Sequence, residues 1–130
     1  MSTPVDVADL AKALRDFDSG YLLTTAAGRV KAVTVEVRVT DSVLDIPGGS
    51  RGSAANLARN PSATLLFPPR QRHGYTLLVD GTAEARNDGF RFTPATAVLH
   101  RPSAYSDGPT PDGIGAEQAG SCDNDCVGLS

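Results

Sequence analysis

Residues 47–61 read PGGSRGSAANLARNP, a glycine- and serine-rich turn that runs into a short helical pattern. Strand-like runs flank it, SVLDIP before and SATLLFPP after. Such a turn leaves backbone N–H groups free at the positive end of a helix dipole, which favours an anion. Ser53 is the predicted N-cap, and Asn60 before Pro61 is the predicted stop. The charge pattern agrees: no acidic residue lies between Asp45 and Asp80, whereas Arg51, Arg59, Arg70 and Arg72 all do. In a chain of formal net charge −3 this basic stretch is a local feature.

Outward from that stretch the periodicity is mostly two. YLLTTAAG from Tyr21 reads as a strand ending in a turn, and VKAVTVEVRV follows with valines at 33, 35, 37 and 39. Thr34, Glu36 and Arg38 share the other face of that run. GYTLLVDGTAEA and FRFTPATAVLH complete six predicted strands, with hairpin-like spacing and one helix inserted after the third. The helix–strand alternation of a parallel sheet is missing. The expected fold is therefore mainly β, a six-stranded antiparallel barrel with an N-terminal helix and a short inserted helix.

That N-terminal helix is read from Val7, Leu10, Ala11, Leu14 and Phe17, with Thr3 as cap, Pro4 at the first helical position and Asp6 in the first turn. Asp18-Ser19-Gly20 would stop it. After Arg101 the character changes: residues 102–130 are rich in Gly, Pro, Ser and Asp, carry five acidic residues and no Lys or Arg, and read as an acidic tail. The expected organisation is a domain over residues 1–101 followed by this tail.

Composition excludes several classes. A pI near 5.2 is wrong for a general nucleic-acid binder. No apolar run approaches the roughly 20 residues of a membrane span, and no secretory signal is visible, so a cytoplasmic protein is expected. Cys122 and Cys126 are too few for a disulfide framework and fall short of the four ligands of structural zinc, so no metal is expected. No Ser/His/Asp or Cys/His arrangement emerges from the spacing.

The order of strands, the Gly/Ser/Arg turn, NLARNP at 56–61 and VDGTA at 79–83 resembles the pyridoxamine 5′-phosphate oxidase-like proteins, FMN-binding split β-barrels that include flavin- and deazaflavin-dependent reductases. The resemblance spans residues 21–101. It implies a homodimer with the cofactor in a cleft between subunits, and a cofactor phosphate held by basic and hydroxyl side chains. Members of that family commonly carry a Lys or Arg three residues before the Asn of the NL string; here that position is Ser53. Arg51 then takes the basic role, helped by Ser50 and Ser53, while Asn56 orders the turn.

Two positions stay open at this point. Arg51 is either a cofactor ligand or a solvated arginine, and Arg38 either lines the cleft or pairs with Glu36 on a wet surface. Arg70, Arg72 and His73 flank a Pro68-Pro69 loop, and His100 reads as a strand-end histidine bonded to backbone. The expected function is an FMN- or deazaflavin-dependent small oxidoreductase. The alternative is a non-catalytic protein of the same fold holding haem or another planar anion.

Overall fold

A computed structural model describes residues 2–109. The rest of the expected acidic tail, with Cys122 and Cys126, lies outside the described residues. Eight strands and two α-helices are found among those described: β1 Ser2–Val5, α1 Leu10–Leu14, β2 Gly20–Ala26, β3 Arg29–Val35, β4 Arg38–Thr40, β5 Val43–Pro47, α2 Arg51–Arg59, β6 Ser62–Phe67, β7 Thr76–Arg86 and β8 Gly89–His100. No helix among the described residues is long and apolar enough to cross a membrane.

The chain forms two compact units. Among the described residues, one draws on residues 2–18, 67–78 and 96–109; the other consists of Ser19–Leu66 and Val79–Ala95. Strands β7 and β8 contribute residues to both.

In the second unit the strands are ordered β3-β2-β6-β7-β8-β5-β4. The β2–β3, β2–β6, β4–β5 and β5–β8 ladders are all antiparallel. The two ends of this path, β3 and β4, are joined by Glu36 and Val37 alone, so the sheet must curl back until its ends are within about 10 Å. They exchange no ladder, and the sheet stays open where a closed barrel would pair. Leu22, Leu44, Ile46, Leu57, Leu65, Val79, Phe90 and Phe92 fill the core of this unit. A tight turn at Ala27-Gly28 joins β2 to β3, with φ of 52° and 75°, the pairing of positive values that suits the twist of a two-residue hairpin.

In the first unit β1 runs antiparallel to the end of β8, from Ser2 opposite His100 to Val5 opposite Ala97. Thr3 and Val5 point inward and Pro4 outward. Phe17 and Phe67 meet in this unit's core, ring centroids 6.3 Å apart, alongside Leu10, Ala13, Leu77 and Leu99.

Three expectations are corrected here. The strand count is eight, not six. Ser2–Val5 is a strand where a helix cap was expected, because Pro4 lacks an N–H and suits an edge strand as well as a first helical turn. VKAVTVEVRV is two strands, since the chain leaves β2 after Val35 and takes β5 as partner from Arg38. The N-terminal helix accordingly begins later. Asp6 caps a 3₁₀ turn over Val7–Asp9 by accepting from Ala8 N at 3.1 Å, and α1 buries Leu10 and Ala13 while Ala11 is exposed.

Candidate functional site

The glycine-rich turn delivers the chain into α2 as the charge pattern requires, but the cap is three residues earlier than expected. Ser50, not Ser53, is the N-cap: its Oγ accepts from Ser53 N at 3.2 Å, and its carbonyl accepts from Ala54 N at 2.9 Å. The first two helical N–H groups, of Arg51 and Gly52, then have no partner among the described residues and point out of the helix. Arg51 is exposed, as the first helical residue.

Gly52 gives this terminus its second cation. A Cβ built there would lie 2.6 Å from Lys31 Cε and 3.1 Å from Lys31 Nζ. The aliphatic end of Lys31, carried on β3, therefore rests on the bare Cα of Gly52 and sets its ammonium beside the first turn. Any larger residue would displace it. Lys31 was not expected from the sequence; a lysine in an alternating strand carries no signal that it will meet a turn some twenty residues on.

Asn56 and Ser53 act beneath this surface. Asn56 Nδ2 donates to Thr24 Oγ1 at 3.0 Å, which ties α2 to β2 through a threonine that is fully buried. Ser53 is also fully buried, and its Oγ has no partner among the described residues. Asn60 ends the helix as expected: its N–H reaches Asn56 O at 2.8 Å and its Oδ1 accepts from Ser62 N at 3.1 Å.

Ser50, Arg51, Ser53 and Asn56 are thus brought together on α2. Arg38 is not with them. It stands on β4 and lines a separate groove of the same unit with Asp45, Arg86, Asp88 and Arg91. Among the described residues it has no carboxylate within ion-pair distance, Glu36 included.

Arg59 ends α2, whereas Arg70, Arg72 and His73 belong to the first unit. Arg70 Nη1 is 3.9 Å from Asp18. His73, at φ 61°, stacks on Tyr105 with centroids 4.1 Å apart and bonds Asp107 through Nδ1 at 3.0 Å. That hydrogen bond holds the Asp107 carboxyl below the usual carboxylate range. Arg101 is buried over the Tyr75 ring, 4.1 Å from its centroid, and donates to the carbonyls of His73, Ser106 and Pro109. His100 bonds the Ser2 hydroxyl at 3.0 Å where a backbone partner was expected.

No protein-family model matches this chain. Two mycobacterial proteins do: Mb0449c of Mycobacterium bovis and MT0457 of Mycobacterium tuberculosis, both uncharacterized. Each is 37% identical over 144 aligned positions, which take in 97% of this chain and 95% of theirs. Among solved structures, a FAD-binding protein of Mesorhizobium loti superposes with TM-score 0.61 at 14% identity, over 76% of this chain and 96% of that one. The FAD-binding protein of Mycobacterium smegmatis gives 0.57 at 15% identity, over 78% and 100%. A candidate pyridoxamine 5′-phosphate oxidase of Listeria innocua gives 0.53 at 14% identity, over 72% and 91%. At such identity the likeness is one of fold, and it matches the split-barrel kind the motifs resemble.

Proposed function

The chain belongs to the same family as the mycobacterial proteins Mb0449c and MT0457, and from that premise we propose that it binds a flavin-type cofactor by its phosphate at the N-terminus of α2 and serves as a small oxidoreductase. The observation that carries this reading is the cradle itself: two unpartnered backbone N–H groups, the Arg51 guanidinium, and the Lys31 ammonium seated on Gly52. Two cations and a helix terminus suit a phosphate, because hydrogen bonds to a charged group are about twice as strong as neutral ones. Lys31 answers the absence of a basic residue at Ser53. The FAD-binding description of two fold neighbours adds support for a flavin.

In this reading Lys31 and Arg51 neutralise the phosphate, and the N–H groups of Arg51 and Gly52 orient it. The Ser50 hydroxyl accepts from Ser53 N and keeps its own proton for the ligand. Asn56, through Thr24, keeps α2 seated on β2 so that the cradle does not drift. The bound ring would supply hydride transfer, and the chain's task is to hold and orient it. The same reading makes the protein a homodimer with the ring between subunits, which sedimentation equilibrium tests.

Titration with FMN and with FAD, followed by flavin fluorescence, tests the proposal. Lys31→Met and Arg51→Ala should each weaken binding about 10- to 100-fold, the equivalent of about 1.5–3 kcal/mol for a bond to a charged group. Wild-type protein that ignores FMN and FAD but takes up haem would replace this reading with the non-catalytic one.

A further inference from the structure

The groove that holds Arg38 has no part in the α2 cradle, and its construction points to a ligand of its own. Strands β4, β5 and β8 place Arg38 directly opposite Asp45, and Asp45 directly opposite Arg91. Directly opposed residues project to the same face with Cβ atoms about 5 Å apart, so the three side chains form one row across three strands. The neighbours on the other face, Leu44, Ile46, Phe90 and Phe92, are all buried in the core. Register is thereby locked: a slip of β5 by one residue would drive Asp45 into that core and expose Leu44 and Ile46.

One carboxylate therefore stands between two guanidinium groups. Asp45 leans to one side, its Oδ1 3.7 Å from Arg91 Nε. Arg38 is left without a carboxylate among the described residues. Arg86 lines the groove at the end of β7, its Nη2 donating to Glu84 at 2.5 Å. The β7–β8 turn is pinned across the end of β5, with Gly48 N donating to Asp88 O at 2.9 Å. A Cβ at Gly89 would fall 1.9 Å from Ile46 O, so only glycine lets these two backbones approach this closely. The result is an open groove of about 900 Å³ lined by Arg38, Arg86 and Arg91 together with Asp45 and Asp88. That volume is of the size that holds small-molecule ligands.

We propose that this groove is a second anion site, and that it takes a compact ligand carrying two adjacent oxyanion groups, of the diphosphate type. A monovalent anion would only compete with Asp45 for Arg91. A divalent one bridges Arg38 and Arg91 at once, and planar guanidinium forks match phosphate oxygens two at a time. The site stands independently of what α2 holds.

Calorimetric titration of the full chain with pyrophosphate, and separately with ADP, tests this at about 50 mM salt, where surface charge is weakly screened. In a Lys31→Met background, which disables the α2 cradle, the expected result is one site per chain for pyrophosphate, weakened at least tenfold by Arg38→Ala and by Arg91→Ala. Asp45→Asn removes the competing carboxylate and should tighten binding several-fold, a gain that a purely structural role for Asp45 would not produce. ADP binding as tightly as pyrophosphate would assign the diphosphate of a nucleotide, and weaker ADP binding would assign a free diphosphate. Absence of pyrophosphate binding in the Lys31→Met background, or insensitivity there to Arg38→Ala, would overturn the proposal.

Discussion

Gly52→Ala separates stability from binding in a way that tests the cradle directly. The new Cβ would sit 2.6 Å from Lys31 Cε, closer than real contacts allow, and a tight 3.1 Å from Nζ, and the nearest atoms are all the far end of one flexible side chain. Lys31 therefore swings away at little cost. Alanine in the first turn of α2 also restricts the unfolded chain, a gain of about 0.4–1 kcal/mol. For a domain of this size that is an increase of a few degrees in Tm. Anion affinity should move the other way. Loss of the ammonium removes one charge-assisted interaction, about 1.5–3 kcal/mol, or roughly 10- to 100-fold in Kd. Differential scanning fluorimetry and a flavin titration on the same preparation read the two effects. Lys31→Met should mimic the binding loss, and the double variant should bind no worse than either single one, since both remove the same ammonium. Gly52→Ala protein that binds flavin as wild type does, or a double variant whose losses add in full, would refute the role given to Lys31.

Three further outcomes follow from single contacts. Asn56→Ala leaves the fully buried Thr24 hydroxyl without its donor and should cost about 1–3 kcal/mol, read as a lower midpoint in urea. Ala27→Gly relieves a left-handed alanine at φ 52° and should raise Tm by a few degrees, the left-handed penalty being about 1–2 kcal/mol against glycine's entropy cost of about 0.5–1 kcal/mol. Asp107 has a carboxyl depressed chiefly by its hydrogen bond with His73, so the stability it contributes is present above the ordinary carboxylate range and is lost as pH falls through the lowered value. The Tm difference between wild type and Asp107→Asn should accordingly be seen at neutral pH and vanish in acid; a difference that persists in strong acid would show that the carboxylate is not its source.

Much of this protein was legible because its signals are local. Alternation along Tyr21–Ala26 and Val43–Pro47, the Ala27-Gly28 turn and the Asn60-Pro61 stop each rest on the backbone preferences of a few neighbouring residues, and each appears where the chain says it will. The turn before α2 belongs with them in its glycines and its arginine, while its cap falls at Ser50 where Ser53 was expected. Other features resisted reading for definite reasons. Four residues are too few for Ser2–Val5 to show a period, and Pro4 is equally at home in a first helical turn. The valines at 33, 35, 37 and 39 keep perfect alternation across the break at Glu36-Val37, because what changes there is the partner strand and not the chain's own geometry.

The sequence by itself therefore determined a mainly antiparallel β protein with a glycine- and serine-rich turn leading into its second helix. Which cations lie beside that turn was a tertiary decision. Arg38, which the sequence left either lining the cleft or paired with Glu36, is carried by the partner change at β4 into a groove with Asp45 and Arg91, while Lys31, seven residues earlier, is set on Gly52 by the β2–β3 hairpin. A contact between a strand and a turn twenty residues apart depends on the register and curl of the whole sheet, and no short window of residues encodes either.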